Sequence, residues 1–397
     1  MKKHLRPVAL VLAAVCISAA VAQPPTKPGA SDPAATAQTL VTRCAGIHPG
    51  ETVLISGSPR DLELLENIAV EVRKLGAFPL LTIDTERLIK KMYADVPAKH
   101  DQQEPKFAMK LAEFIDAQID VEVGEAVDPL AGVAPQRILD TGKAMQAVHD
   151  RMLKRGVVSV HLGNNLYPTK ARAALYGVPQ ETLAKIFWSG VDCDYAALQK
   201  TGRSVRDKLA AGKSVKITAP NGTDLTVQIG QRPVYVSDGV ISTEDRSEGG
   251  PACQAWLPAG EVYLAAAPGT ATGTFIADTF FHEGTLIEGL KLEFKNGKLT
   301  SFTAAKGDLG ELKKRYEAAP AGRDDFAAID IGVNPNVSIP AGSKMVSWVA
   351  AGTITVGFGG NAWAGGENTC PFEVSCHLNG GTLTADGTPV VEKGALK

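Results

Sequence analysis

The stretch TVLISGSPRDLELLENIAVEVRKLGAFPLLTI, residues 52–83, decides the fold. Thr52 to Ser56 is a short apolar run of the kind that buries as a strand. From Asp61 to Leu75 the period changes, and Leu62, Leu65, Ala69 and Val72 recur at helical spacing on one face. Gly76 then stops the helix, because the left-handed turn just past a helix end costs glycine little. Pro79 to Ile83 reads as a second strand. Strand, helix and strand in this order build a parallel sheet with a right-handed crossover.

The alternation continues outward. Lys106 to Ala117 reads as a helix and Ile119 to Val123 as a strand. Gly142 to Arg155 is a helix closed by Gly156, and Val157 to Leu162 a strand. A helical zone covers Lys170 to about Ala211. From Ser214 the texture changes. Val215 to Thr218 and Leu225 to Ile229 flank an Asn221-Gly222 hairpin turn. Glu261 to Ala265, Gly284 to Phe294 and Lys298 to Thr303 are further strands, and Asp308 to Ala318 is one intervening helix. The expectation is an α/β protein in two parts. An N-terminal α/β domain over residues 39–212 carries a mainly parallel sheet, and a C-terminal β-rich α+β domain covers residues 213–397.

The first residues, Met1-Lys2-Lys3-His4-Leu5-Arg6, are basic, and an apolar run follows from Val8 to Val21. Ala20-Val21-Ala22 supplies small residues before Gln23, so a secretory signal peptide cleaved after Ala22 is expected, with a periplasmic or secreted destination. That run is short for a bilayer span, which needs about 20 residues, and no later stretch is apolar enough. Residues 23–38, rich in Pro, Ala and Thr, read as a tether. Hydrophobic content of 44% with 21% charged residues fits a well-filled core. A net charge of -2 gives no electrostatic footprint for nucleic acid. Five cysteines follow Ala22, an odd number, and Cys370 with Cys376 is the pair to test first for a disulfide. The chain has no phosphate-cradling loop, no nucleophile elbow and no zinc-type cysteine spacing.

The order of several short motifs resembles the aminopeptidase T family, the leucyl-type dinuclear metallo-aminopeptidases. Ile47-His48-Pro49-Gly50-Glu51-Thr52-Val53-Leu54-Ile55 is similar to that family's opening strand, and Tyr167-Pro168-Thr169 with Ala173-Ala174-Leu175-Tyr176-Gly177-Val178 to its central helical signature. Ala219-Pro220-Asn221-Gly222-Thr223-Asp224-Leu225 resembles its hairpin, and Leu257-Pro258-Ala259-Gly260-Glu261-Val262-Tyr263 its first ligand segment. The resemblance runs from about residue 39 to 390. It implies an N-terminal α/β domain, a C-terminal domain holding two divalent metals (zinc, cobalt or manganese), a homodimer and peptide substrates.

Placed one at a time, the ligands that the resemblance implies are mostly missing. The first falls on Glu261. The second precedes a Gly-x-Asn motif, present as Gly332-Val333-Asn334, and falls on Ala327 or Ala328; Asp330 lies two residues beyond Ala328, roughly 6–7 Å along a strand. The third follows Gly352-Thr353, where Thr355 replaces a histidine. No Asp or Glu lies between Val337 and Gly366, so the catalytic glutamate has no counterpart. A closing His-x-Asp pair falls on Pro371 and Glu373, with His377 four residues further on. Glu261, Asp330 and Glu373 are therefore the candidate metal residues, too few for a dinuclear cluster.

Four other features come into view. His282-Glu283 near Asp278 could offer new ligands, though an adjacent pair of this kind more often marks a surface turn. The acidic run Thr243 to Glu248 reads as a solvated face. Gly357 to Gly366 is an adaptable glycine and aromatic tract, and His161 a strand-end or core histidine. Two functions follow: a relative that binds peptides or a protein partner without the family's metals, or an active aminopeptidase with a rearranged metal site.

Overall fold

The computed structural model describes residues 32–126 and 128–397. The expected signal peptide and its cleavage point lie outside the described residues, as does most of the expected tether. The tether ends sooner than expected. Pro33–Gln38 is helical and runs on into helical turns over Thr39–Cys44. Asp32 caps this helix by accepting from Ala34 N at 3.0 Å, with proline at the first helical position. Ala37, Leu40, Val41 and Cys44 are buried, so the segment belongs to the body.

In chain order the strands are β1 (Thr52–Gly57), β2 (Phe78–Ile83), β3 (Ala117–Val121), β4 (Val158–Leu162), β5 (Ser214–Thr218), β6 (Asp224–Gln228), β7 (Tyr235–Ser237), β8 (Gln254–Leu257) and β9 (Glu261–Ala265). There follow β10 (Thr272–His282), β11 (Thr285–Lys295), β12 (Lys298–Thr303), β13 (Phe326–Gly332), β14 (Ile354–Gly359), β15 (Glu373–Leu378), β16 (Thr382–Ala385), β17 (Thr388–Glu392) and β18 (Ala395–Leu396). Among the described residues they fall into three sheets, ordered β2-β1-β3-β4-β8, β12-β11-β10-β6-β5-β16-β17-β18 and β15-β14-β13-β9-β7. The first is wholly parallel and the other two are antiparallel. This is the expected α/β front followed by a β-rich half.

Two details bear on the site. β8 comes from beyond residue 212 yet completes the parallel sheet, and one continuous core joins both halves. β8 then passes directly into β9 through Pro258, Ala259 and Gly260. Gly260 has φ +126°, and a Cβ there would lie 2.7 Å from the Cβ of Asn334. Asn334 is fully buried and donates to Ala259 O at 2.6 Å and Gly190 O at 3.1 Å. The Gly-x-Asn motif thus clamps the start of β9, which carries Glu261.

The helix Leu62–Lys74 buries Leu64, Leu65, Ile68 and Val72, and Leu62 is 42% exposed, so its inner face is turned from the expected one. Gly156 takes the expected left-handed cap, at φ 66°. The zone from residue 170 to 211 resolves into three helices, Lys170–Tyr176, Gln180–Val191 and Tyr195–Ala211. Among the described residues, no helix is long and apolar enough to cross a membrane.

Candidate functional site

Two rows of side chains face each other across a cleft. In the parallel sheet, Ser56 of β1 stands beside Asp120 of β3, Asp120 beside His161 of β4, and His161 beside Trp256 of β8. Ser56 Oγ bonds to Asp120 Oδ1, and Asp120 Oδ2 lies 3.1 Å from His161 Nδ1. These residues sit at the carboxyl ends of parallel strands, where open α/β sheets hold ligands.

In the antiparallel sheet, Tyr263 of β9 is opposite Asp330 of β13, Asp330 is opposite Thr355 of β14, and Thr355 is opposite His377 of β15. One step along, Glu261 is opposite Gly332, where no side chain intervenes. Residues two apart on a strand share a face, so Glu261 and Asp330 meet diagonally, and Ser375 and Glu373 continue the face from His377. A cleft of about 550 Å³ is lined from both sides and contains Asp120, His161, Trp256, Glu261, Asp330 and Glu373, with Trp348 and Trp363 among its walls. The three candidate metal residues therefore converge on one cleft, but not on one point.

Glu261 is buried, and its Oε1 accepts from Asn164 Nδ2 at 2.7 Å. Burial holds its carboxyl above the usual range, and the Asn164 bond pulls it partly back. Asp330 is only 3% exposed, and its Oδ1 has no hydrogen-bond partner. Its carboxyl is also pushed well up, first by burial and then by the Glu261 charge. Glu373 begins β15. The residue is exposed overall, but its carboxyl end is turned into the cleft, where desolvation raises its pKa; the Trp363 indole and the Ser375 hydroxyl, 3.5 Å away, oppose this.

The positions where the resemblance implies further ligands hold groups that cannot bind a cation well. Ala327 and Ala328 pack with Tyr263, Ala265 and Ala364 in a small apolar cluster beneath Trp363. Thr355 Oγ1 lies 2.8 Å from His377 Nδ1, and the Trp348 ring packs edge-on against that imidazole at 4.7 Å. His377 is thus two strands from Asp330, roughly 10 Å at about 4.8 Å per strand. Among the described residues, no three His, Cys, Asp or Glu side chains gather closely enough to hold a metal ion. A structural or catalytic site draws three or four donors to about 2 Å from the ion. This donor set does not fit the dinuclear cluster that the resemblance implies.

His282 does not join Glu261. It lines a neighbouring cavity with His377, and Glu283 is held by Arg315 at 2.6 Å. Asp278 is tied to Asn221 Nδ2 at 3.1 Å. The acidic run Thr243–Glu248 is a capped helix whose Arg246 bonds to Glu51 at 2.9 Å, a structural role. The glycine tract holds the end of β14 and a short turn that presents Trp363. Cys370 and Cys376, the pair to test first for a disulfide, are both buried and free; Cys376 sits within β15, with its thiol walled in.

Sequence reasoning set His161 aside and missed Ser56, Asp120, Asn164 and Trp256. Their signal was available: each lies at or just past the end of a strand, or in β8, whose membership in the parallel sheet was not foreseen.

A parallel α/β sheet joined to an antiparallel half, with a carboxylate-lined cleft between them, defines the class. Residues 32–313 match the thermophilic metalloprotease family M29, and the chain belongs to that family. Aminopeptidase PepS of Streptococcus thermophilus is 27% identical over 309 residues, 68% of this chain and 70% of PepS. The structure of wild-type AmpT from Thermus thermophilus superposes with a TM-score of 0.70 at 20% identity, over 92% of this chain and 98% of AmpT. The 2,5-dihydroxypyridine dioxygenase of Pseudomonas putida KT2440 does so at 0.59 and 12% identity, over 92% and 96%. These two likenesses show the fold alone, and a fold does not decide the reaction.

Proposed function

We propose that this chain is an exported M29 relative that binds the N-terminal end of peptides in the cleft without the dinuclear metal chemistry of a metallo-aminopeptidase. One observation carries this reading. Thr355 stands between Asp330 and His377 and engages the imidazole itself, so carboxylate and imidazole donors are separated. Glu261, Asp330 and Glu373 remain as acceptors for a peptide amine, and Trp256, Trp348 and Trp363 supply apolar walls for the first side chain.

A second reading has its own support. Glu261, Asp330 and Glu373 share one cleft, and an orphaned carboxylate oxygen on Asp330 invites a cation. In that reading they hold a rearranged zinc, cobalt or manganese ion that polarises a scissile carbonyl. The test is release of N-terminal residues from short peptides after remetallation with each ion, together with peptide binding in chelator. The first reading expects saturable binding in chelator and no metal-dependent release. Release that chelator abolishes and metal restores would overturn it. The apolar side chains of Phe78, Leu80 and Ile83 on the edge strand β2 are exposed, which supports a second copy as partner, as the resemblance implies.

A further inference from the structure

A second cavity, of about 380 Å³, adjoins the cleft and shares Asn165, Trp348 and Glu373 with it. Its wall is mainly apolar. Leu175 and Tyr176 come from the helix Lys170–Tyr176, Phe280 and Phe281 from the end of β10, Val374 from β15, and Val346 from the segment before β14. Tyr176 is held in place: it is buried, donates its hydroxyl to Asn165 O at 2.8 Å and packs against Phe281 at 5.9 Å between ring centroids. A preformed apolar hollow of this size suits a side chain that gains by leaving water.

The polar groups on this wall are poor hosts for a charge. Arg172 is engaged with Glu122 at 2.6 Å. His377 Nδ1 lies 2.8 Å from Thr355 Oγ1. Burial holds the imidazoles of His282 and His377 down to about 4, with Arg315 adding to the effect at His282, so both are uncharged at neutral pH. An anionic side chain would meet Glu373 with no unpaired cation on the wall to receive it, and a cationic one would lie beside Arg172. Successive side chains of an extended peptide point to opposite sides. With the amino end in the cleft and the first side chain against Trp256 and Trp363, the second turns away from them, and the shared boundary at Trp348 and Glu373 leads it into the cavity.

We propose that this cavity receives the second side chain of a peptide whose amino end lies in the cleft, and that it selects a large apolar side chain over glycine or a charged residue. This rests on the peptide-binding reading above and names the class of peptide. Taking a phenylalanyl side chain out of water favours binding by about tenfold or more. Glycine at the same place leaves the apolar wall wet and gains nothing.

The experiment is isothermal titration of the purified chain, in chelator at neutral pH, with the tripeptide amides Ala-Phe-Ala, Ala-Gly-Ala, Ala-Glu-Ala and Phe-Ala-Ala. The expected result is that Ala-Phe-Ala binds about tenfold or more tighter than each of the other three. Leu175→Trp, which fills the cavity from its helical side, should bring the ratio between Ala-Phe-Ala and Ala-Gly-Ala to within about twofold, with the melting temperature confirming a folded chain. If Leu175→Trp does not fold, Val346→Trp serves with the same expectation. Equal binding of Ala-Phe-Ala and Ala-Gly-Ala, an undiminished ratio in a folded filled variant, or Phe-Ala-Ala binding as tightly as Ala-Phe-Ala each overturns the proposal and leaves the peptide reading standing. No saturable binding of any of the four overturns the peptide reading, and the proposal with it.

Discussion

Replacing His377 with Gln should flatten the acid limb of this protein's stability curve. His377 is buried on β15 between the Thr355 hydroxyl and the Trp348 ring, and no carboxylate is hydrogen-bonded to it. Burial pushes its imidazole down to about 4. In the unfolded chain it returns to about 6.5. Between those values the unfolded state binds a proton that the folded state refuses, so stability rises with pH through this window and is lost as pH falls from about 6.5 to about 4. The gap is about 2.5 units, and at 1.36 kcal/mol per unit it corresponds to on the order of 3 kcal/mol. That is a large share of the 5–15 kcal/mol or so that a typical domain possesses. Urea unfolding of wild type and His377→Gln at half-unit steps from pH 7.5 to 4 reads it directly. The variant is expected to start less stable, from lost packing, and then to close the gap by about that amount on acidification. Other groups titrate in both proteins, so their contribution cancels in the difference. Two parallel curves across the window would refute the reasoning.

Three further outcomes follow from the same geometry. Asp330→Asn removes a carboxyl that burial and Glu261 both disfavour as an anion, so it should stabilise the chain at pH 8.5. The folded acid holds its proton more tightly than the unfolded one, so the gain should shrink toward pH 5, and thermal melts showing the same gain at both values would contradict this. Gly332→Ala would place a Cβ 2.3 Å from Ala350 O and 2.4 Å from Trp348 O, forcing the strand apart at a cost of about 3 kcal/mol; a change in urea midpoint worth under about 0.5 kcal/mol would show that the contact is not tight. Alkylation under denaturing, non-reducing conditions should label both Cys370 and Cys376, and a mass showing the pair protected would restore the bridge.

Much of the fold is legible locally. The strand from Thr52, the helix from Leu62 and the left-handed glycine at 156 follow from period and capping, and the hairpin at Asn221-Gly222 from turn chemistry. What escapes is whatever long-range pairing decides. β8 was not read from the sequence as a strand, yet it closes the parallel sheet and places Trp256 beside His161. The helix Glu86–Asp95 went unread because Leu88 and Met92 face solvent, which weakens its apolar stripe. In the site, the three carboxylates were found by motif order. Their arrangement was not, because a spacing of two along one strand says nothing of the neighbour across it. Asp330 seemed remote from the ligand position along β13. The ladder to β9 puts Gly332 opposite Glu261 and so opens the diagonal between the two carboxyls.

The decisive measurement is the metal content of the chain, purified without chelator and then dialysed against excess zinc, cobalt or manganese before removal of the free ion. If the Thr355 row has dismantled the inherited centre, fewer than one tightly held ion per chain remains. Two ions per chain, retained after exhaustive dialysis and lost on Glu261→Gln, would contradict that account.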